Sequence, residues 1–171
     1  MKQYIRGRRF AFFLLLVSLT VLAGCGGQLP AVSWFGIATD DEVVYLSANE
    51  QVIAINLDGG AELWAFPAEP EQTIGPFYAT PLITDAQVVV GGFGDGKLYA
   101  LDKETGEQEW AVETEGSIVG GAALADNGFA VGNGQGKVYL VDQEAQEKQL
   151  LLEADEHIWS EPLIYRAEGR A

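Results

Sequence analysis

The chain has 171 residues, 48% of them hydrophobic and 20% charged, which is enough apolar material for one domain with a core and unlike a disordered tail. Ten Lys and Arg stand against 25 Asp and Glu, a formal net charge of −15 that argues against a nucleic-acid partner. One Cys leaves no disulfide framework to help the fold.

The first 25 residues have the three parts of an export signal. Lys2, Arg6, Arg8 and Arg9 make a basic start. Phe10 to Ala23 is an apolar run, shorter than the roughly 20 residues a membrane-spanning helix needs. Leu22-Ala23-Gly24-Cys25 then resembles the bacterial lipoprotein signal, in which small residues precede a cysteine that is acylated and becomes the new N-terminus. Residues 1–24 are therefore expected to be a signal helix that is removed, Cys25 to be lipidated, and residues 25–36, with Gly26-Gly27, to be the lipidated Cys and its tether. An ordinary cleavage site with an incidental Cys is the plainer alternative, and Arg8-Arg9-Phe10 is a weaker hint of a twin-arginine signal. Without the leader, six basic residues face 25 acidic ones, a formal −19. Charge alone would not hold such a chain to anionic lipid, so acyl chains would have to.

Beyond the tether the pattern is that of short strands, and no segment has a convincing helical period. Val52-Ile53-Ala54-Ile55-Asn56 reads as a strand, followed by a turn through Gly60 and a strand carrying Trp64. The loop from Phe66 to Phe77 contains Pro67, Pro70 and Pro76. Pro81 to Thr84 and Gln87 to Gly91 are the next strands, and the glycine cluster GGFGDG after them favours a tight hairpin. Leu98 to Asp102 leads into the turn Asp102-Lys103-Glu104-Thr105-Gly106. There Asp102 can accept from amides two and three residues on, and Gly106 can take the left-handed conformation. A strand from Glu107 to Val112 carries Trp110. Phe129 to Gly132, GNGQG and Val138 to Asp142 repeat the scheme, GKLY returns as GKVY, and Pro162 to Tyr165 echoes Pro81 to Thr84.

The echo has a period. Asn56, Asp102 and Asp142 are separated by 46 and then 40 residues, Trp64 and Trp110 share the 46-residue offset, and Leu150 stands where the third copy would have its tryptophan. Four short strands in roughly 40 residues, repeated, make the blade of a β-propeller. The expected fold is all-β, with about three four-stranded antiparallel blades over residues 37–171.

Ala100-x-Asp102-x-x-Thr105-Gly106-x-x-x-Trp110 resembles the tryptophan-docking motif of the pyrroloquinoline-quinone (PQQ)-like β-propeller repeat, and the resemblance covers roughly Val43 to Tyr165. The first copy keeps Ala54, Asn56, Gly60 and Trp64; the third keeps Asp142 but has Ala145-Gln146 in place of Thr-Gly and no tryptophan. The resemblance implies a tryptophan that packs between neighbouring blades, with its N–H on a carbonyl across the junction. Kelch and WD repeats fit less well, since the paired glycines of the former are not repeated and the Gly-His and Trp-Asp pairs of the latter are absent.

Quinone-dependent dehydrogenases of this family hold PQQ beside Ca²⁺ and an aspartate base, and many use a vicinal disulfide. Here the acidic residues are scattered singly, Asp95 and Asp126 read as turn residues, and His157 is the one histidine, in a loop before Ile158-Trp159. GGFGDGK lacks the helix that a phosphate-binding loop needs. No catalytic residue, metal ligand or cofactor is therefore expected.

About three blades is fewer than the ~4 to 8 that close a propeller. The expectation is a chain ending inside a longer propeller, with self-association through open blade edges as the alternative. The functional expectation is a lipid-anchored lipoprotein of the cell envelope whose propeller is an interaction scaffold for protein partners. The resemblance extends this to the accessory lipoprotein of outer-membrane β-barrel assembly. The rival is a fragment of a secreted PQQ-dependent dehydrogenase, with PQQ and calcium as its cofactors; no residue points to a sensor or carbohydrate-binding propeller.

Overall fold

The computed structural model describes residues 36–71, 73–144 and 146–165. Cys25, the expected signal segment and Ala145 lie outside them. The described residues form twelve strands in three four-stranded antiparallel sheets, and each sheet is a simple meander. Blade 1 holds β1 (Ile37–Thr39), β2 (Val43–Ala48), β3 (Gln51–Asn56) and β4 (Glu62–Phe66). Blade 2 holds β5 (Leu82–Ile83), β6 (Gln87–Gly91), β7 (Lys97–Asp102) and β8 (Gln108–Glu113). Blade 3 holds β9 (Ala123–Ala125), β10 (Gly128–Gly132), β11 (Lys137–Asp142) and β12 (Lys148–Glu153).

The sequence dictates sheets that are apolar on both faces, because each must pack against two neighbours. In β6 the run Val88-Val89-Val90 is fully buried, and its alternation divides it between two cores. Val88 and Val90 join Tyr99 and Leu101 in packing on Tyr45, Val52, Ala54 and Trp64 of blade 1. Val89, Leu98, Ala100, Trp110 and Val112 pack instead on Phe129, Val131, Tyr139 and Val141 of blade 3. Val44, Leu46, Ile53 and Ile55, at the matching positions on the far side of blade 1, are only half-buried.

Each blade also holds the start of the next. The amide of Phe77 donates to Asn49 O (2.6 Å), that of Ile118 to Gly92 O (3.1 Å), and that of Ile158 to Asn133 O (3.2 Å). Ile118 lies over Gly91, and Ile158 over Gly132, so closely that a Cβ on either glycine would collide with the isoleucine. The same step thus recurs three times, and the third instance delivers Pro162-Leu163-Ile164 to the side of blade 3.

Two register shifts are equivalent and one is not. β3 pairs Ala54 with Trp64 and then Ile55 with Glu62; β7 pairs Ala100 with Trp110 and then Leu101 with Gln108. In blade 3 the shift moves to Val138/Tyr139, so that Leu140 pairs with Gln149 and Tyr139 with Leu150. The residue in the tryptophan's structural place is therefore Gln149, and the expectation that Leu150 fills it is corrected. Leu150 corresponds to Ala65 and Ala111 and is exposed. Counting along the chain misplaced it because a displaced bulge changes the register without changing the length.

Candidate functional site

The repeat-motif residues converge at the junctions between blades. The turn after β7 is built on Asp102, whose Oδ1 accepts from the amides of Glu104 (3.1 Å) and Thr105 (2.8 Å) and from the Thr105 hydroxyl (2.8 Å). These bonds, the Thr105 hydroxyl first, hold the Asp102 carboxyl below its usual range. Gly106 closes the turn at φ 72°, its amide donating to Asp102 O (2.9 Å). Trp64 of blade 1 comes down on this turn: its Nε1 donates to Lys103 O at 3.0 Å, and a Cβ on Gly106 would lie 2.5 Å from the indole. Only glycine admits that approach.

The first and third turns share the frame. Asn56 Oδ1 accepts from Asp58 N (2.9 Å), and Gly60 N donates to Asn56 O (2.9 Å). Gly60 has φ 67° and open space where its side chain would be. Asp142 Oδ1 accepts from Glu144 N (2.9 Å), and Gln146, at φ 55°, donates its amide to Asp142 O (3.1 Å). Trp110 is buried against Phe129, ring centroids 5.8 Å apart, but its N–H has no partner among the described residues. In the corresponding turn of blade 3, Gln146 stands where blade 2 has Gly106 and, unlike it, carries a Cβ at positive φ. Ala54 and Ala100 lie directly opposite the two tryptophans, small residues that make room for them.

Around the junction of blades 1 and 2 runs an open groove of about 850 Å³, lined by Asp40, Glu42, Tyr45, Asp85, Asp102 and Lys103 among others. Lys103 organises it. Its Nζ pairs with Asp40 Oδ2 (2.9 Å), its amide donates to Ala86 O (2.9 Å) and its carbonyl takes the Trp64 N–H. Asp40 Oδ1 also accepts from the amides of Glu42 and Val43; the bond from Glu42 leads, with Lys103 next, in lowering the Asp40 pKa to about 2. Burial, then the Asp40 charge, pushes Tyr45 up to about 12. Sequence reading did not single out Lys103; its partners lie up to 63 positions away, at Asp40, and no local pattern marks them.

A second ionic lock joins blades 2 and 3. Glu115, at φ 64°, accepts from Lys137 (3.0 Å) and Lys148 (2.8 Å), and these bonds, Lys148 first, lower its pKa to about 2. Asp95 is a turn residue, accepting from Lys97 N (3.2 Å) and from the Tyr99 hydroxyl. His157 lies in a loop, its ring bonded to Gly134 O and stacked on Trp159. Among the described residues no three His, Cys, Asp or Glu side chains gather in a metal-ligating group.

Solved structures share this architecture. BamB from Moraxella catarrhalis matches with a TM-score of 0.56 at 20% identity, covering 71% of this chain and 41% of that one. Quinohemoprotein alcohol dehydrogenase from Comamonas testosteroni matches with a TM-score of 0.56 at 23% identity, covering 66% of this chain and 20% of that one. These likenesses show the fold, a β-propeller, and the chain spans less than half the length of either protein. Among curated proteins, the serine/threonine-protein kinase AfsK of Streptomyces griseus is 32% identical over 94 residues, which is 54% of this chain and 11% of the kinase. The family model described as outer membrane protein assembly factor BamB matches residues 25–160. The chain, with its PQQ-like repeats, belongs to that family.

Proposed function

We propose that this chain is an extracytoplasmic lipoprotein, anchored by acylated Cys25, whose propeller binds protein partners and carries out no reaction of its own. The observation that supports this most directly is the use of the repeat motif. Trp64 docks across the blade junction on Lys103 O and Gly106, and Asp102 and Thr105 hold the turn that receives it, which is the work of a rigid frame. Membership of the family described as outer membrane protein assembly factor BamB supports a place in the cell envelope and a role in protein assembly. No helix of the described residues is long and apolar enough to cross a membrane, so an anchor for them would have to come from elsewhere, and the Leu22–Cys25 motif offers one.

Expression in a bacterial host with labelled palmitate tests the anchor. Label and membrane association are expected in the wild type and lost in Cys25→Ser; an unlabelled wild type in the soluble fraction would refute it. Photo-crosslinking from surface positions of the propeller in cells should recover envelope proteins.

A second reading, a portion of a PQQ-dependent dehydrogenase, is favoured by the shared fold of the quinohemoprotein alcohol dehydrogenases. Calorimetric titration with PQQ and Ca²⁺, followed by dye-linked alcohol oxidation, separates the two: saturable binding and turnover favour the dehydrogenase, and neither is expected of a scaffold.

A further inference from the structure

The junctions between blades 1 and 2 and between blades 2 and 3 are built on equivalent positions, and each has a described blade on either side. In blade 3, Tyr139 of β11 stands opposite Leu150 of β12, and Val141 opposite Lys148. The Lys148 ammonium lies over the Tyr139 ring, 5.2 Å from its centre, and bonds to Glu115 Oε1 (2.8 Å) and Glu113 O (2.8 Å). Lys137 takes the other oxygen of Glu115 at 3.0 Å. Two ammonium groups thus share one carboxylate beside a tyrosine.

In blade 2 the same register puts Ala111 opposite Tyr99 and Gln108 opposite Leu101. Ala111 therefore stands for Leu150 and Gln108 for Lys148, so that the bulk and the ammonium are both missing. A cavity of about 440 Å³ is there instead, with Phe66, Glu71, Asp95, Tyr99, Gln108 and Ala111 in its wall. The balance of charge is reversed. Two carboxylates, Glu71 and Asp95, stand against the single ammonium of Lys97, whose Nζ is 3.8 Å from Asp95 Oδ2. Burial first, then Asp95 and Glu71, push the Tyr99 hydroxyl above its usual range.

The wall is held in place before anything binds. Glu71 O accepts from the amides of Ile74 (3.2 Å) and Gly75 (3.3 Å), and Gly94 N donates to Ile74 O (3.1 Å). Asp95 accepts from Lys97 N (3.2 Å) and from the Tyr99 hydroxyl. The loop carrying Glu71 is in this way fastened to the hairpin carrying Asp95, which lowers the ordering cost of binding.

The group that suits the cavity is the one the fold places at the equivalent point one blade on. An ammonium on an apolar stem can meet the two carboxylates with its charge and the aromatic wall with its methylenes. An anion would be repelled by both acids.

We propose that the cavity between blades 1 and 2 receives a lysine side chain presented by a protein partner, which takes the place that Lys148 fills at the next junction. This deepens the scaffold reading and rests on it for the supposition of a protein partner.

The test titrates the full processed chain, isotope-labelled, with the tripeptide acetyl-Ala-Lys-Ala-amide, its norleucine counterpart and spermidine. Amide chemical shifts read where and how tightly each binds. The lysine peptide is expected to bind saturably, to move the amides of Glu71, Asp95, Lys97 and Gln108, and to weaken as salt is added. The norleucine peptide should bind at least about tenfold more weakly. Gln108→Lys supplies the missing ammonium from within. It should abolish binding and raise the melting temperature by about 2 °C. Glu71→Gln should weaken binding about threefold or more with an unchanged melting temperature. Equal binding of the lysine and norleucine peptides, shifts confined to other residues, or undiminished binding by Gln108→Lys would overturn the proposal. So would spermidine binding more than about tenfold tighter than the lysine peptide, which would make a free polyamine the occupant. Because the titration needs neither lipid nor cell, its failure leaves the palmitate and crosslinking results standing; their failure leaves it standing in turn.

Discussion

Trp64 and Gly106 are made for each other across the first blade junction: the indole occupies the space that any side chain on Gly106 would fill, and its N–H reaches Lys103 O at 3.0 Å. Gly106→Ala therefore meets two penalties, a left-handed residue at φ 72° and a methyl 2.5 Å from the indole. The expected loss is about 2–4 kcal/mol. Gly60→Ala, at φ 67° but with open space, meets only the first, about 1 kcal/mol. Urea unfolding of the two variants side by side measures the difference, and equal losses would show that the indole contact contributes nothing.

The two tryptophans should respond differently to loss of the indole nitrogen. Trp64→Phe removes a hydrogen bond along with apolar area; Trp110→Phe removes area and a buried N–H that has no partner among the described residues. Trp64→Phe is expected to be the more damaging by about 1 kcal/mol. Gln146→Gly should free the third turn for Trp110 and stabilise by about 1 kcal/mol, visible as a higher melting temperature and altered tryptophan fluorescence.

Acid should loosen both junctions. The folded pKa values of Glu115 and Asp40 are lowered, from 4.5 and 3.8 respectively, each to about 2. A depressed carboxylate pKa contributes stability that is present above the unfolded value and lost as pH falls through the folded one. Stability should thus decline between pH 4.5 and about 2. Glu115→Gln should reduce that slope while leaving the decline from Asp40, and unfolding curves taken across this range would show it.

Gly91 and Gly132 sit beneath matching isoleucines, yet their substitution should have unequal reach. Gly91→Ala displaces Ile118, which is fully buried in the core between blades 2 and 3, and should unfold the domain at lower denaturant. Gly132→Ala displaces Ile158, whose chain continues into exposed Leu163 and Tyr165, and should release only residues 157–165. Hydrogen exchange distinguishes a local from a global change.

How far the sequence could be read follows from the range of each interaction. The turn of Asp102, Thr105 and Gly106 is set within five residues, and its residue types are legible as a turn. The strands of blade 2 were placed to within one or two residues, since valine runs and glycine clusters bound them. The bulge in blade 3 was not legible, because Val138/Tyr139 shifts register through packing and leaves no local mark; this is why Leu150 was assigned the tryptophan's place. Lys103 and Glu115 were invisible for the same cause. Both draw their partners from other sheets, and charged residues in turns ordinarily face only water.

The overlap by which Asn49, Gly92 and Asn133 each hold the head of the next repeat has a practical consequence for anyone rearranging the gene. A sheet is not the transplantable cassette. Cutting at the start of β5 or β9 would leave Phe77 or Ile118 behind as a greasy stub on the donor and deprive the recipient of its key. A cassette running from Phe77 through Ser117 carries its own key and its own lock, and chains lengthened or shortened by that span should keep every seam intact.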